Sequence, residues 1–278
     1  MFILTSVAAA SGGKLRIFDF AFSLTQSYTF WSGLLGGTFL TMASHGTDQT
    51  MVQRLLAARN ERDGKKALLV SGVIILVQFT LFLLIGVMLF VYMRNGLMTV
   101  PGGDADRIYP FFIVHRMPVG LAGIVLASIF AIAMSNASGS LNSLASSSMM
   151  DMGARRSGND VGSLGRSRQM TLIWGVVLGL LALIPWGPVL VAGLTIASIT
   201  YGALLGVFLL GTWNTRANER GALVGFAAGL AAMIAVNRFT PLAWTWYVLA
   251  GTIVTFAVGT IASEVARGSG DVAGVMRR

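Results

Sequence analysis

The sequence predicts an all-α polytopic membrane protein, a bundle of seven transmembrane helices. Two observations carry this. The 278 residues are 55% hydrophobic and 11% charged, far more apolar than a soluble domain of this size needs. The apolar residues also gather into long runs, and a spanning helix needs about 20 of them. The runs lie near 27–45, 67–93, 118–149, 170–186, 188–212, 221–237 and 243–263.

The first run, TFWSGLLGGTFLTMASHGTDQ, holds Gly36-Gly37 and Gly46-Thr47. Both steps are places where a helix can break, and broken spans supply binding groups in many transporters. Thr41, Ser44, His45, Gly46 and Thr47 make up its polar end. Asp48 follows and is expected to be solvated or paired with Arg54. The second run, 67–93, is almost wholly apolar.

The third run is the most informative. Its second half, MSNASGSLNSLASSSMM, is dense in hydroxyls and amides. Such groups are costly at membrane depth and face a bundle interior or a wet cavity. At 3.6 residues per turn Ser128, Ser135, Asn142 and Ser146 share a stripe flanked by Ser138 and Gly139. Ile124, Leu126, Phe130, Met134 and Leu141 lie opposite. Two readings stand side by side: hydroxyls that glue helices together, and neutral oxygens that ligate a dehydrated Na⁺.

Pro185, Trp186, Gly187 and Pro188 separate the fourth and fifth runs as a tight turn. The seventh opens on Trp244, Trp246 and Tyr247, an aromatic cluster suited to the membrane interface. Gly36-Gly37, Gly120–Gly123 and Gly221–Gly225 would let helices approach closely.

The loops fix an orientation. Alternate connections, 46–66, 151–169 and 213–220 with the tail, hold fourteen of the twenty Lys and Arg. The other set holds six (Lys14, Arg16, Arg94, Arg107, Arg116, Arg238). By the positive-inside rule the N-terminus lies outside and the C-terminus in the cytoplasm. The formal charge of +9 is therefore topological, and nucleic acid is not expected as a partner; the lipid bilayer is. Asp104 and Asp106 fall in the outer loop 94–117 and are expected to be solvated.

Several classes are excluded. With no cysteine, disulfides and thiol chemistry are impossible. The two histidines, His45 and His115, lie on separate segments. No zinc-protease helix, phosphate loop or nucleophile elbow occurs. An enzyme is not expected, nor an organic cofactor. Residues 1–13 lack a leading basic residue, which argues against a signal peptide.

Three stretches together resemble the sodium/solute symporter family: HGTDQTMVQRLLAARNERDGKKAL at 45–68, MSNASGSLNSLASSSMMD at 134–151, and RANERGALVG at 216–225. The resemblance covers residues from about 27 to 240. It implies an inverted-repeat, LeuT-like bundle. Residues 27–212 would form its second five-helix repeat, 221–263 two accessory helices and 264–278 a cytoplasmic tail. Residues 1–13 would be the end of the first repeat, making the chain a C-terminal half. The implied activity is sodium-coupled solute symport in a bacterial-type inner membrane. The alternative is a non-transporting subunit that needs a partner, such as the missing N-terminal half.

By the same resemblance the sodium ligands are the Ile132 carbonyl and the side chains of Ser135 and Asn136. Asn136 stands where many relatives have Ser or Thr. The remaining oxygens would come from the first repeat, so the sodium site is expected to be incomplete in this chain. Thr41, Ser44 and His45 match pocket positions. The sugar-binding members' Lys and Gln would fall at Ile75 and Leu194, both apolar. A small polar solute or organic anion is therefore expected, and sugar is disfavoured.

Overall fold

The computed structural model describes residues 18–100, 102, 105–153, 164–184 and 188–275. The expectations for residues 1–13 and for the turn residues Pro185, Trp186 and Gly187 lie outside them. The chain is all-helical. In order it forms a π-helical segment Ser32–Gly36 running into α1 (Gly37–Gly46), then α2 (Gln49–Leu56), α3 (Glu61–Arg94), α4 (Ala105–Arg116), α5 (Val119–Gly153), α6 (Leu164–Ala182), α7 (Val189–Trp213), α8 (Glu219–Phe239), a 3₁₀ turn Trp244–Trp246, and α9 (Tyr247–Val275).

Among the described residues five helices are long and apolar enough to cross a membrane: Glu61–Arg94, Val119–Met149, Val189–Trp213, Glu219–Phe239 and Trp244–Arg267. The π segment with α1 is short. The first turns of α6 carry Arg166, Arg168 and Gln169, which lower its hydropathy.

Three connections are more ordered than their composition suggests. The basic stretch 46–66 is helical over α2 and the start of α3. Asn60 caps α3, accepting from the Asp63 N–H at 2.8 Å, and Lys65 pairs with Glu61 one turn away at 2.6 Å. At 34 residues α3 is about 51 Å long, so its charged end projects past a bilayer core of about 30 Å. The stretch 94–117 contains α4 (Ala105–Arg116). The helix α9 continues to Val275, through most of the stretch 264–278 expected as a tail.

The helices divide into two compact units, residues 1–91 with 190–278, and residues 92–189. In the first, α1, α7 and α9 share a core of Ala43, Leu205, Leu209 and Val248, flanked by Phe39, Leu40, Tyr201 and Phe256. α8 and α9 meet through small residues. Gly221, Gly225 and Gly229 recur every fourth residue on α8, facing Thr255, Gly259 and Ser263 on α9. A Cβ on Gly225 would sit 2.6 Å from the Thr255 carbonyl oxygen, and one on Gly229 1.9 Å from Thr255 Oγ1. Between membrane helices, where hydrophobic drive is absent, such close van der Waals contact holds the pair. Gly206 of α7 receives the other side of Thr255, with a Cβ there 2.5 Å from Thr255 Cβ.

In the second unit α3 ends at Gly96, whose φ of 72° is a left-handed stop. The Asp106 carboxylate of α4 accepts the Val189 N–H at 3.1 Å, so Asp106 has a structural role beyond the solvation expected of it. α5 and α6 join where the Trp174 indole donates to Ser148 Oγ at 2.9 Å.

Candidate functional site

The first unit holds the proposed solute-path residues. The sequence predicts breaks at Gly36-Gly37 and Gly46-Thr47. At the first the chain stays helical, and the irregularity is the π-helical turn Ser32–Gly36 leading into α1. Such turns are rare and frequent at functional sites. Its buried Ser32 hydroxyl donates to carbonyls of Ser27 and Thr29, while the Thr29 N–H donates to it. Gly36 is required by contact: a Cβ would lie 2.2 Å from the Thr245 carbonyl oxygen. The second break is real. α1 stops at Gly46, and the Thr47 hydroxyl bonds back to the Ala43 carbonyl at 2.7 Å.

Thr41, Ser44 and His45 lie together at the end of α1. Ser44 Oγ donates to the Thr41 carbonyl at 3.2 Å and lies 3.0 Å from His45 Nδ1. His45 Nδ1 is also 3.2 Å from the Thr41 carbonyl. Local contacts therefore occupy Nδ1, while Nε2 has no partner among the described residues. The Thr41 side chain is exposed and the other two are half-buried. The trio can present an imidazole nitrogen and two hydroxyls to a polar solute.

Asp48 is tied across the fold, because the Tyr201 hydroxyl of α7 donates to its carboxylate at 3.1 Å. Sequence reasoning missed this bond, since nothing at Asp48 points to a residue so distant in the chain. It also missed the strap 18–31. The Ala243 N–H donates to the Leu24 carbonyl at 2.8 Å, and the Trp246 indole to the Ser23 carbonyl at 3.3 Å. Ser198, one turn before Tyr201, is fully buried with a hydroxyl that has no partner among the described residues.

The second unit holds the proposed sodium residues. α5 is unbroken through Ile132, Ser135 and Asn136. The Ile132 carbonyl therefore lies within the helical ladder, where its second lone pair remains available. Ser135, Asn136, Ser138, Ser140, Asn142 and Ser143 are all exposed. Ser128 bonds its own helix at the Ile124 carbonyl, and Ser148 receives Trp174. No hydrogen bond among the described residues engages the Ser135 or Asn136 side chains. Packing within this unit thus uses the end of the stripe near Ser148 and leaves Ser135 and Asn136 open. Hydroxyl, amide and carbonyl oxygens are the hard donors a small cation takes.

A description of the sodium:solute symporter family matches residues 14–229. The chain belongs to that family. Its relatives are transporters rather than enzymes. It is 29% identical over 255 residues to the sodium/sialic acid symporter NanT of Aliivibrio fischeri, covering 89% of this chain and 50% of that protein. It is 28% identical over 276 residues to the sodium/sialic acid symporter SiaT of Proteus mirabilis, covering 91% and 55%. The human sodium/iodide cotransporter is 29% identical over 247 residues, covering 80% and 36%.

A solved structure described as the substrate-bound outward-open state of a Na⁺-coupled sialic acid symporter superposes with a TM-score of 0.75 at 28% identity. It covers 95% of this chain and 55% of that one. The shared architecture is the LeuT-like fold. The chain spans about half the length of the sialic acid symporters it matches.

Proposed function

We propose that this chain works in sodium-coupled solute symport by alternating access, and that it supplies the second inverted repeat of the transporter with two accessory helices. The observation that carries the reading is the open, unbonded Ser135–Asn136 surface of α5 in a member of this family. With the Ile132 carbonyl these side chains offer three oxygens, too few for a stripped Na⁺ by themselves. The remaining ligands come from the complementary half, so the chain alone has no high-affinity site. Bound ion and bound solute each favour the state that binds the other, and this reciprocity is the coupling.

Thr41, Ser44 and His45 line the solute path. The solute is a small organic anion. Relatives named for sialic acid, monocarboxylates and iodide all take their names from anions, and the hydroxyl and imidazole N–H groups of the trio can donate to one. Sialic acid is a sugar as well as a carboxylate, so these relatives give no support to the expectation against sugars, which is not retained. Seven spans in a bacterial-type inner membrane, with the N-terminus outside and the C-terminus inside, complete the reading. It rests on the loop charges.

The test is uptake into vesicles from cells expressing the complete gene, using labelled sialic acid, lactate and glucose with sodium or potassium outside. The reading expects uptake of one of the two anions only when sodium is present. Uptake equal in both salts would overturn it.

A further inference from the structure

A second recess lies away from the solute-path residues, where α1 and α2 meet α7 and α8. It is a groove of about 650 Å³, within the range of about 300–1,000 Å³ typical of small-molecule sites. Its walls are apolar: Leu204, Val207 and Phe208 from α7, and Ala222 and Phe226 from α8. Two lining residues, Thr47 and Glu219, carry polar side chains. The Thr47 hydroxyl is already used on the Ala43 carbonyl. Glu219 is exposed and makes no hydrogen bond or ion pair among the described residues.

Capping does not account for Glu219. Asn218 already caps α8, accepting the Gly221 N–H at 2.8 Å, and is held by donating to the Ser263 carbonyl at 3.0 Å. Arg216 and Arg220 bracket Glu219 in sequence, both exposed and without an ion pair among the described residues. Of these charged residues Glu219 lines the groove, and Arg216 and Arg220 are its neighbours in sequence where a spanning helix begins. Below them runs an apolar channel. Glu219 and Phe226 are seven residues apart, so the channel is about 10 Å deep along the helix.

We propose that this groove binds one glycerophospholipid with a primary ammonium headgroup, of the phosphatidylethanolamine type. An acyl chain lies between α7 and α8, the ammonium donates to Glu219, and the phosphate meets Arg216 and Arg220. The setting favours a lipid, since α7 and α8 are both long and apolar enough to span a membrane. Charge selects the headgroup. A tail gains little by leaving its lipid neighbours, so selectivity must come from the polar end. The glycerol hydroxyls of phosphatidylglycerol could donate to Glu219 but bring no positive charge, so the bond would lack the charge-assisted strength an ammonium supplies. A choline headgroup has no N–H to donate. The site does not depend on which solute is carried.

The experiment is native mass spectrometry of the purified chain, released from micelles containing equal amounts of phosphatidylethanolamine, phosphatidylglycerol and phosphatidylcholine with matched acyl chains. The expected spectrum keeps one phosphatidylethanolamine at least fivefold in excess over either competitor. Glu219→Gln, a conservative change at an exposed position, should bring that excess over phosphatidylglycerol to below twofold. Ala222→Trp, which fills the groove, should lower retention of all three, with circular dichroism confirming retained helix. Retention without headgroup preference in the unmodified chain would overturn the proposal, as would a preference that survives Glu219→Gln.

Discussion

Thr255 is the sharpest test of how α8 and α9 pack. Its side chain sits between Gly229 on α8 and Gly206 on α7, fully buried. A methyl placed on Gly229 would lie 1.9 Å from Thr255 Oγ1, and the next atoms are Thr255 Cβ at 3.2 Å and the Gly251 carbonyl at 3.5 Å. Almost the whole clash is therefore with one hydroxyl. Gly229→Ala should cost about 2–3 kcal/mol, the upper range for overpacking. In a Thr255→Ala background the hydroxyl is gone. Ala is then favoured over Gly in a helix by about 1 kcal/mol, so the same change should cost less than about 1 kcal/mol. The predicted coupling is about 2 kcal/mol, within the range for residues in contact.

Gly225→Ala is the control. Its added methyl would meet backbone, the Thr255 carbonyl oxygen at 2.6 Å and Gly259 Cα at 2.8 Å. Thr255→Ala removes neither, so it should rescue nothing there. The assay is unfolding in mixed micelles by SDS titration, followed by circular dichroism. Equal costs for Gly229→Ala in both backgrounds would refute the contact. Rescue of Gly225→Ala by Thr255→Ala would refute the close backbone approach.

Three further outcomes follow from single contacts. Thr255→Val should change stability by less than about 1 kcal/mol, because the lost hydroxyl is buried without a partner among the described residues; the same titration measures it. Tyr201→Phe removes the bond to Asp48 and should cost about 1.5–3 kcal/mol, as hydrogen bonds to charged groups do. The check is faster amide exchange across residues 41–52, with α8 unaffected. Asp106→Ala should cost about 0.5–2 kcal/mol by freeing the Val189 N–H, while Asp106→Asn, which keeps an acceptor, should cost less; thermal unfolding separates them.

What could be read from the chain was what repeats along one helix. Apolar runs located α3, α5, α7, α8 and α9 within a few residues of their ends, except where charged residues extend the helix. α3 begins at Glu61 rather than near residue 67, because the Asn60 cap and the Glu61–Lys65 pair support helix in polar sequence. The polar stripe on α5 was legible because its period is helical. Gly221 and Gly225 were visible as places for close approach. Their partners Thr255, Gly259 and Ser263 were not, since one helix's periodicity does not say which neighbour it meets. The same holds for Asp48 with Tyr201, and for Leu24 with Ala243. These pairings join residues far apart in sequence, and nothing local encodes them.

The central claim is that the open face of α5 supplies sodium ligands. It is tested most directly by the sodium concentration that gives half-maximal uptake, compared between the unmodified protein, Ser135→Ala and Ser128→Ala, all expressed from the complete gene. Ser128 bonds its own helix, so its loss should leave the sodium requirement within twofold of normal. Ser135 loses an ion ligand, so its alanine variant should need at least tenfold more sodium. A Ser135→Ala protein with an unchanged sodium requirement would contradict the assignment.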